Sequence, residues 1–199
     1  MRRELRFRGV RLRREGFAGV RVSWGGLEVC VDCPEPGGGY ALYTHPHPRH
    51  FPGLERLGGA TIVSPWLGLR VRPGDRVELA GAVVEVVEAY NRPEHGGPHP
   101  RGLGVGYVLD LGGVRVYHMG DTDLIDEVLE VAGRGVDVLL APVGGGSVMT
   151  PEEAREAVRS LRPALTVPIH CEDPRRLFSF RDMVQPYTCL LYTSPSPRD

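Results

Sequence analysis

At 199 residues, with 41% apolar and 25% charged side chains, the chain is the size of one globular domain and too apolar to be disordered throughout. Its 24 basic residues against 25 acidic ones leave a formal net charge of −1, which offers no global field for drawing in nucleic acid or an anionic membrane. Every basic residue is an arginine, so a lysine Schiff base is excluded, and the single Asn (Asn91) and single Gln (Gln185) are the usage of a GC-rich genome and suit a hot habitat. No run of about 18 apolar residues is present, and the basic start has no apolar stretch of the signal-peptide kind. The expectation is a cytoplasmic chain with neither nucleic acid nor membrane as partner.

From Leu5 to Val31 apolar residues alternate with polar ones, and Gly25-Gly26 marks a turn, which predicts antiparallel strands. Residues 1–22 hold eight Arg against two Glu, but the Arg alternate with apolar residues, as on a solvated strand face. Pro34–Gly39 is a loop, and the short strand Tyr40–Thr44 runs straight into a histidine cluster. A weak helix (Leu54–Leu57), a strand (Ala60–Val63) and two strands between Val71 and Tyr90 joined at Ala80-Gly81 come next. The segment Asn91–Gly104 is too long and irregular for a plain turn and is expected to border a site. Strands Gly106–Leu111 and Val114–His118 precede Gly120-Asp121-Thr122 and a helix from about Leu124 to Ala132. The all-apolar run beginning at Val136 predicts a strand buried on both faces. Thr150-Pro-Glu-Glu opens a helix to Leu161, with Thr as N-cap and Pro in the first position, and Ala164–Ile169 is the last strand, ending at His170. Strands come first, then strands alternate with helices, which suggests two sheets covered by helices.

Four cysteines (Cys30, Cys33, Cys171, Cys189) are too few for a disulfide framework, and Cys30-Val-Asp-Cys33 offers a redox or zinc pair, but in an apolar strand pattern with no second pair its cysteines are read first as ordinary strand cysteines. Histidines are more telling. His45 and His47 at i and i+2 on an extended segment, with His50 in the turn after them, can converge on one small ion, and acids such as Asp121 are available. His95 and His99 lie in the long loop, and His118 and His170 stand at strand ends.

The segments Thr44-His-Pro-His-Pro-Arg-His50, Tyr117-His-Met-Gly-Asp-Thr122 and Pro168-Ile-His170 resemble the ordered motifs of the metallo-β-lactamase fold superfamily, and within it the small UlaG-like hydrolases. The resemblance covers roughly residues 16–172 and implies an α+β fold, a four-layer αβ/βα sandwich with the site at one edge. It also implies that His45 and His47 hold a first zinc, that His50 and His170 serve a second, and that Asp121 bridges them. The third ligand to the first zinc falls on His99, His95 or Asn91, with His99 favoured, while His118 packs beneath. Two departures bear on function. Arg49 stands where the family has a carboxylate ligand, and Gly16-Phe17-Ala18 where relatives often have Gly-His-Ala. A guanidinium cannot ligate zinc and repels a second cation. One zinc per chain is therefore expected rather than two, with manganese or iron as alternatives, and Arg49 either orients an anionic substrate or pairs with Asp121 in a dead site. The expected activity is hydrolysis of a small anionic ester, lactone or phosphoester, with Asp121 and Arg49 as the catalytic pair. The competing expectation is a non-catalytic binding or regulatory module retaining the fold.

The last eleven residues, 189–199 (CLLYTSPSPRD), resemble the translation of a transposase adapter used in sequencing libraries. The domain is accordingly expected to occupy 1–188, the tail to add nothing to the core, and the natural chain to continue past Thr188 in other codons.

Overall fold

The computed structural model describes residues 4–190. Two seven-stranded sheets pack face to face, each running in chain order. The first contains β1 (Glu4–Phe7), β2 (Val10–Glu15), β3 (Gly19–Trp24), β4 (Leu27–Val31), β5 (Tyr40–Leu42), β6 (Thr61–Ser64) and β7 (Leu69–Arg70). Pairing is antiparallel through β4 and parallel from β4 to β7. The second contains β8 (Arg76–Leu79), β9 (Ala82–Ala89), β10 (Gly104–Asp110), β11 (Arg115–His118), β12 (Val138–Pro142), β13 (Leu165–Ile169) and β14 (Cys189–Leu190), antiparallel through β11 and parallel thereafter. Period-two alternation supplies the core between the sheets, where Val20, Val22, Val29 and Leu42 meet Val84, Leu109, Val116 and Leu140.

Three α-helices, α1 (Asp126–Glu130), α2 (Pro151–Leu161) and α3 (Pro174–Val184), cover the other face of the second sheet. Ala154, Ala157, Val158 and Leu161 of α2 and Leu177, Phe180 and Val184 of α3 pack there with Tyr117, Met119, Leu139 and Ala141. The α2 start is a complete capping box, in which Thr150 Oγ1 accepts from the Glu153 N–H and the Glu153 carboxylate accepts from the Thr150 N–H. Helix α1 is shorter than the sequence pattern predicts and gives way to a 3-10 turn at Val131–Arg134, where Gly133 and Gly135 weaken helical propagation. Between Glu4 and Ile125 the described residues form no α-helix, and the segment expected as a helix near Leu54 is a single 3-10 turn, Leu54–Arg56. Among the arginines of this region, Arg21 of β3 binds Glu15 at 2.8 Å and Arg8, in the β1–β2 turn, binds Asp137 at 3.3 Å.

At the expected boundary, Cys189 and Leu190 pair with Leu165 and Thr166 as a two-residue edge strand. Residues 191–199 of the expected tail lie outside the described residues. Among the described residues no helix is long and apolar enough to cross a membrane.

Candidate metal centre

Parallel strands deliver their carboxyl ends to one edge of a sandwich, and functional loops gather there. His45, His47 and His50 follow β5, Asp121 follows β11, His170 follows β13, and His99 comes from the loop between β9 and β10. Pro46 and Pro48 deny the segment the N–H groups a ladder needs, and the His50 and Phe51 N–H groups close a turn onto the His47 carbonyl at 2.8 Å each. Gly120 turns the chain from His118 to Asp121 at φ +67°, where a Cβ would lie 2.7 Å from the Val105 carbonyl oxygen. The two sheets are stitched at this edge by the Val105 N–H donating to the Thr44 carbonyl at 3.0 Å and the Tyr107 hydroxyl donating to the Tyr43 carbonyl at 2.9 Å.

Asp121 is the centre of the arrangement. Its Oδ2 lies 2.9 Å from His170 Nε2, 3.4 Å from His50 Nε2, 3.5 Å from His99 Nε2 and 3.7 Å from His45 Nε2. Two ligand groups overlap on it, His45–His99–Asp121 and His50–Asp121–His170, while His45, His47 and His50 form a third. His45 Nε2, His50 Nε2 and Asp121 Oδ1 are buried without any hydrogen-bond partner. Burying polar atoms in that state is costly, and a cation between them would remove the cost.

A second layer sets the ring orientations. Asp32, fully buried after β4, accepts from the Thr44 N–H (2.8 Å), the Thr44 hydroxyl (2.7 Å) and His50 Nδ1 (2.7 Å). With its proton given to Asp32, the Thr44 hydroxyl accepts from His45 Nδ1 at 3.0 Å. His99 Nδ1 faces the Asn91 Oδ1 and the Ser147 carbonyl, both at 3.1 Å. In each case the Nδ1 proton is held by an acceptor, so the Nε2 lone pair of the neutral ring points toward Asp121.

Asn91 and His95, the alternatives for the third histidine ligand, stand behind His99. Asn91 Nδ2 donates to Asp123 Oδ1 at 3.0 Å, and His95 Nδ1 lies 2.9 Å from Asp123 Oδ2. His118 lies under the site, its Nε2 2.9 Å from the Ala18 carbonyl. Arg49 does not share Asp121. Its guanidinium donates to both Glu172 oxygens at 3.0 and 3.1 Å and stacks over the Phe17 ring at 4.1 Å, and Phe17 in turn packs on His170 at 4.4 Å. The Phe17 ring and the Glu172 carboxylate together hold the guanidinium, and neither contact involves Asp121. A cavity of about 420 Å³ opens over the centre, walled by His45, His47, His99, Asp121 and His170, with Arg49, Leu103, Pro46, Pro98 and Ser147 around it.

Asp32, Ser147 and Glu172 are absent from the sequence reading, as is helix α3, on whose N-terminal side Glu172 sits, and Thr44 appears there only as the first residue of the histidine motif, without its role in holding the His45 ring. An acid closing the apolar strand Val29-Cys-Val-Asp32 was the available signal for the first of them. The reading of Cys30 and Cys33 as ordinary strand cysteines is corrected, because they form a disulfide with Cα atoms 5.6 Å apart. The left-handed turn at Asp32 (φ +50°) brings the two together just past the end of the strand.

Burial alone would raise both carboxylates. For Asp121 the His170 hydrogen bond and the charges of His50, His170 and His45 more than offset it and hold the group well below the usual range. Asp32 is likewise held down by His50, His118 and His45 against its burial. Desolvation lowers His45 to about 4 and lowers His118, whereas Asp32 and Asp121 raise His50 against its own desolvation. Metal-free protein should therefore be acid-labile. Groups held below their unfolded values contribute stability above those values and lose it as pH falls, from about 6.5 for His45 and His118 and about 4 for the carboxylates. His50 acts in the opposite sense in the upper window, its contribution being complete below about 6.5 and lost as pH rises, so the steeper loss is expected below about pH 4. Melting temperatures of the chelated protein at pH 5 and pH 3 should differ clearly, and a flat profile would contradict the ionisation states assigned here.

Residues 16–170 match the β-lactamase superfamily domain. The chain is 32% identical over 142 residues to a UPF0173 metal-dependent hydrolase of Thermus thermophilus, covering 65% of this chain and 63% of that protein. It is 30% identical over 149 residues to another from Symbiobacterium thermophilum, covering 66% of this chain and 65% of that one. The chain thus matches somewhat under two thirds of these relatives' own length. In fold it superposes on Igni18, a metallo hydrolase of Ignicoccus hospitalis, with a TM-score of 0.77 at 23% identity over 94% of this chain and 96% of that one. A crystal structure from Parabacteroides distasonis gives 0.81 at 22% identity, covering 92% and 91%. With the domain match spanning most of the chain and the two-sheet α+β sandwich in place, the chain belongs to the β-lactamase superfamily domain family and carries the metallo-β-lactamase fold.

Proposed function

We propose that the chain is a metal-dependent hydrolase acting in the cytoplasm on a small anionic ester, lactone or phosphoester. The observation that carries this reading is the convergence of imidazole Nε2 atoms on one buried carboxylate with three polar atoms left unpartnered. The names of the Thermus and Symbiobacterium relatives agree with it. The donor set, imidazoles with one carboxylate, suits zinc, with manganese or iron as alternatives. His45, His47, His99 and Asp121 would hold one ion tightly, and His50, His170 and Asp121 offer a second, poorer place lacking the carboxylate that Arg49 displaces. When bound, the metal supplies Lewis acidity, making a water acidic enough to attack near neutral pH and drawing off charge that develops on the substrate oxygen.

The chain's own residues do the rest. Asp32, Thr44 and Asn91 hold the Nδ1 side of the rings, so the Nε2 positions are fixed before substrate enters. In the metal-free chain Asp121, kept ionised, accepts a hydrogen bond from His170 Nε2. Arg49 stands at the cavity wall with half its side chain exposed, and an anionic group entering the cavity competes with Glu172 for its fork of donors. Leu103, Pro46 and Pro98 give the body of a small substrate an apolar wall.

Protein purified without chelator, assayed by elemental analysis and against generic phosphoesters, carboxylate esters and lactones, tests the reading. Turnover should vanish on chelation and return with Zn(II), Mn(II) or Fe(II). Bound metal with no turnover of any substrate class would favour the binding-module alternative, and an absence of bound metal would end the metal-centre reading.

A further inference from the structure

Cys30 and Cys33 bracket Asp32, the residue that holds both Thr44 and His50. Asp32 has φ +50°, a region L residues seldom adopt, and it is fully buried. Glu15 lies near Cys30, its Oε2 4.0 Å from the sulfur, and with the two cysteines it would make a three-ligand group. Both its oxygens, however, already bind Arg21, at 2.8 and 3.0 Å, and Arg13 adds a second guanidinium. Two cations at that carboxylate repel a metal, so the pair is read as a redox centre rather than a metal site.

We propose that the Cys30–Cys33 disulfide is a redox modification site that locks Asp32 in place and thereby couples thiol redox state to the histidine cluster. While the bond is closed, the four-residue ring fixes the left-handed turn that presents the carboxylate to His50 Nδ1. Two-electron reduction by a dithiol of the thioredoxin class opens it. One thiolate of the reductant attacks a sulfur to give a mixed disulfide, its second thiolate displaces the protein sulfur, and two protons are taken up, leaving two protein thiols and the reductant as a disulfide. Asp32 is then free to relax toward extended backbone and slacken its hold on His50 and Thr44. Both sulfurs are buried, and Arg21 pins the following loop by donating to the Glu35 and Pro36 carbonyls at 2.7 and 2.9 Å, so exchange waits on that loop. A bond of this kind in a reducing cytoplasm is expected to be transient and sensing rather than structural.

The effect on metal retention rests on the metal-centre reading, whereas loosening of Asp32 is a property of the metal-free chain. Full-length protein purified in air and alkylated after denaturation should carry no label on Cys30 or Cys33. Treatment with a phosphine, which takes the oxygen of water to become the phosphine oxide and leaves two thiols, should expose both. In metal-free protein, reduction should speed hydrogen exchange of the Thr44 N–H, which is bonded to Asp32 Oδ1, by about tenfold, and in zinc-loaded protein it should speed loss of zinc to a chelator by about tenfold, the usual scale of a disturbed outer-shell partner. The double substitution Cys30→Ser and Cys33→Ser should match the reduced protein and ignore the phosphine. If it does not fold, the phosphine-treated natural sequence decides alone. Faster Thr44 exchange in a chain that binds none of Zn(II), Mn(II) or Fe(II) when each is added upholds the lock and overturns the metal-centre reading. Unchanged Thr44 exchange on reduction, alkylation of both cysteines before it, or a phosphine effect that persists in the double variant overturns the lock.

Discussion

Asp121→Ala is expected to strip the centre of metal, leaving under about a tenth of an equivalent per chain and lowering kcat/KM on any hydrolysed ester by on the order of 10³. The carboxylate is the shared neighbour of four imidazoles, between 2.9 and 3.7 Å from each Nε2. Two unit charges about 4 Å apart at an effective dielectric near 20 interact by about 4 kcal/mol, and a divalent ion doubles that, so losing the carboxylate that faces all four Nε2 atoms costs at least about three decades of affinity. Asp121→Asn keeps the shape and removes the charge, and should lose metal nearly as completely. Because Oδ1 has no partner to lose, the asparagine variant should fold. Elemental analysis of both variants beside the unaltered chain settles the matter, since a full equivalent retained by each would show that the ion sits elsewhere or that the carboxylate is not a ligand.

Arg49→Asp is expected to raise tightly held metal from about one equivalent to about two. The substitution removes a cation from the wall of the centre and puts a carboxylate beside His50 and His170, where the second place lacks a ligand. The ion pair it breaks is half-exposed on one side and more so on the other, 49% and 65%, so the cost to stability should stay below about 1 kcal/mol. Hydrolysis of phosphodiesters should rise with the second equivalent, because two metals can stabilise both the attacking and the leaving oxygen. Two tightly held ions in the unaltered chain would refute the one-metal expectation, and none in either protein would favour a non-catalytic module.

The parts of this molecule legible in its sequence are those set by local pattern. Alternation at Val20/Val22 and Leu27/Val29/Val31, the Thr150 capping box and the apolar run at Val138 specify strands and a helix within a few residues of where they lie. The ligand candidates were legible because histidines bunched at strand ends have little other use. What lay out of reach depended on contacts distant in the chain. Asp32 is 18 residues from His50, and nothing local marks it as that ring's partner. Glu172 meets Arg49 across 123 residues, so the choice of Glu172 over Asp121 was invisible until the sheets were assembled. Helix α3 does carry a local start signal, Asp173 as N-cap with Pro174 in the first position, but only three of its apolar residues are buried, and the sequence reading passed over it.

The split of the candidate ligands between the sheets also governs the order in which they appear during synthesis. His45, His47 and His50 leave the ribosome together, whereas His170 follows His50 by 120 residues (170 − 50), roughly ten seconds at ordinary elongation rates. For the first 71 of those residues (121 − 50) the emerging chain displays an imidazole trio without Asp121, a set that by the Irving–Williams order prefers copper to zinc or manganese. The Val105 and Tyr107 stitches to Thr44 and Tyr43 belong to β10, so the sheets close only after that strand has emerged, and the carboxylate that favours a harder ion arrives later still. On the proposed ligand set, closure of the sandwich comes before metallation of the finished centre, and an ion captured early by the three histidines has to be given up.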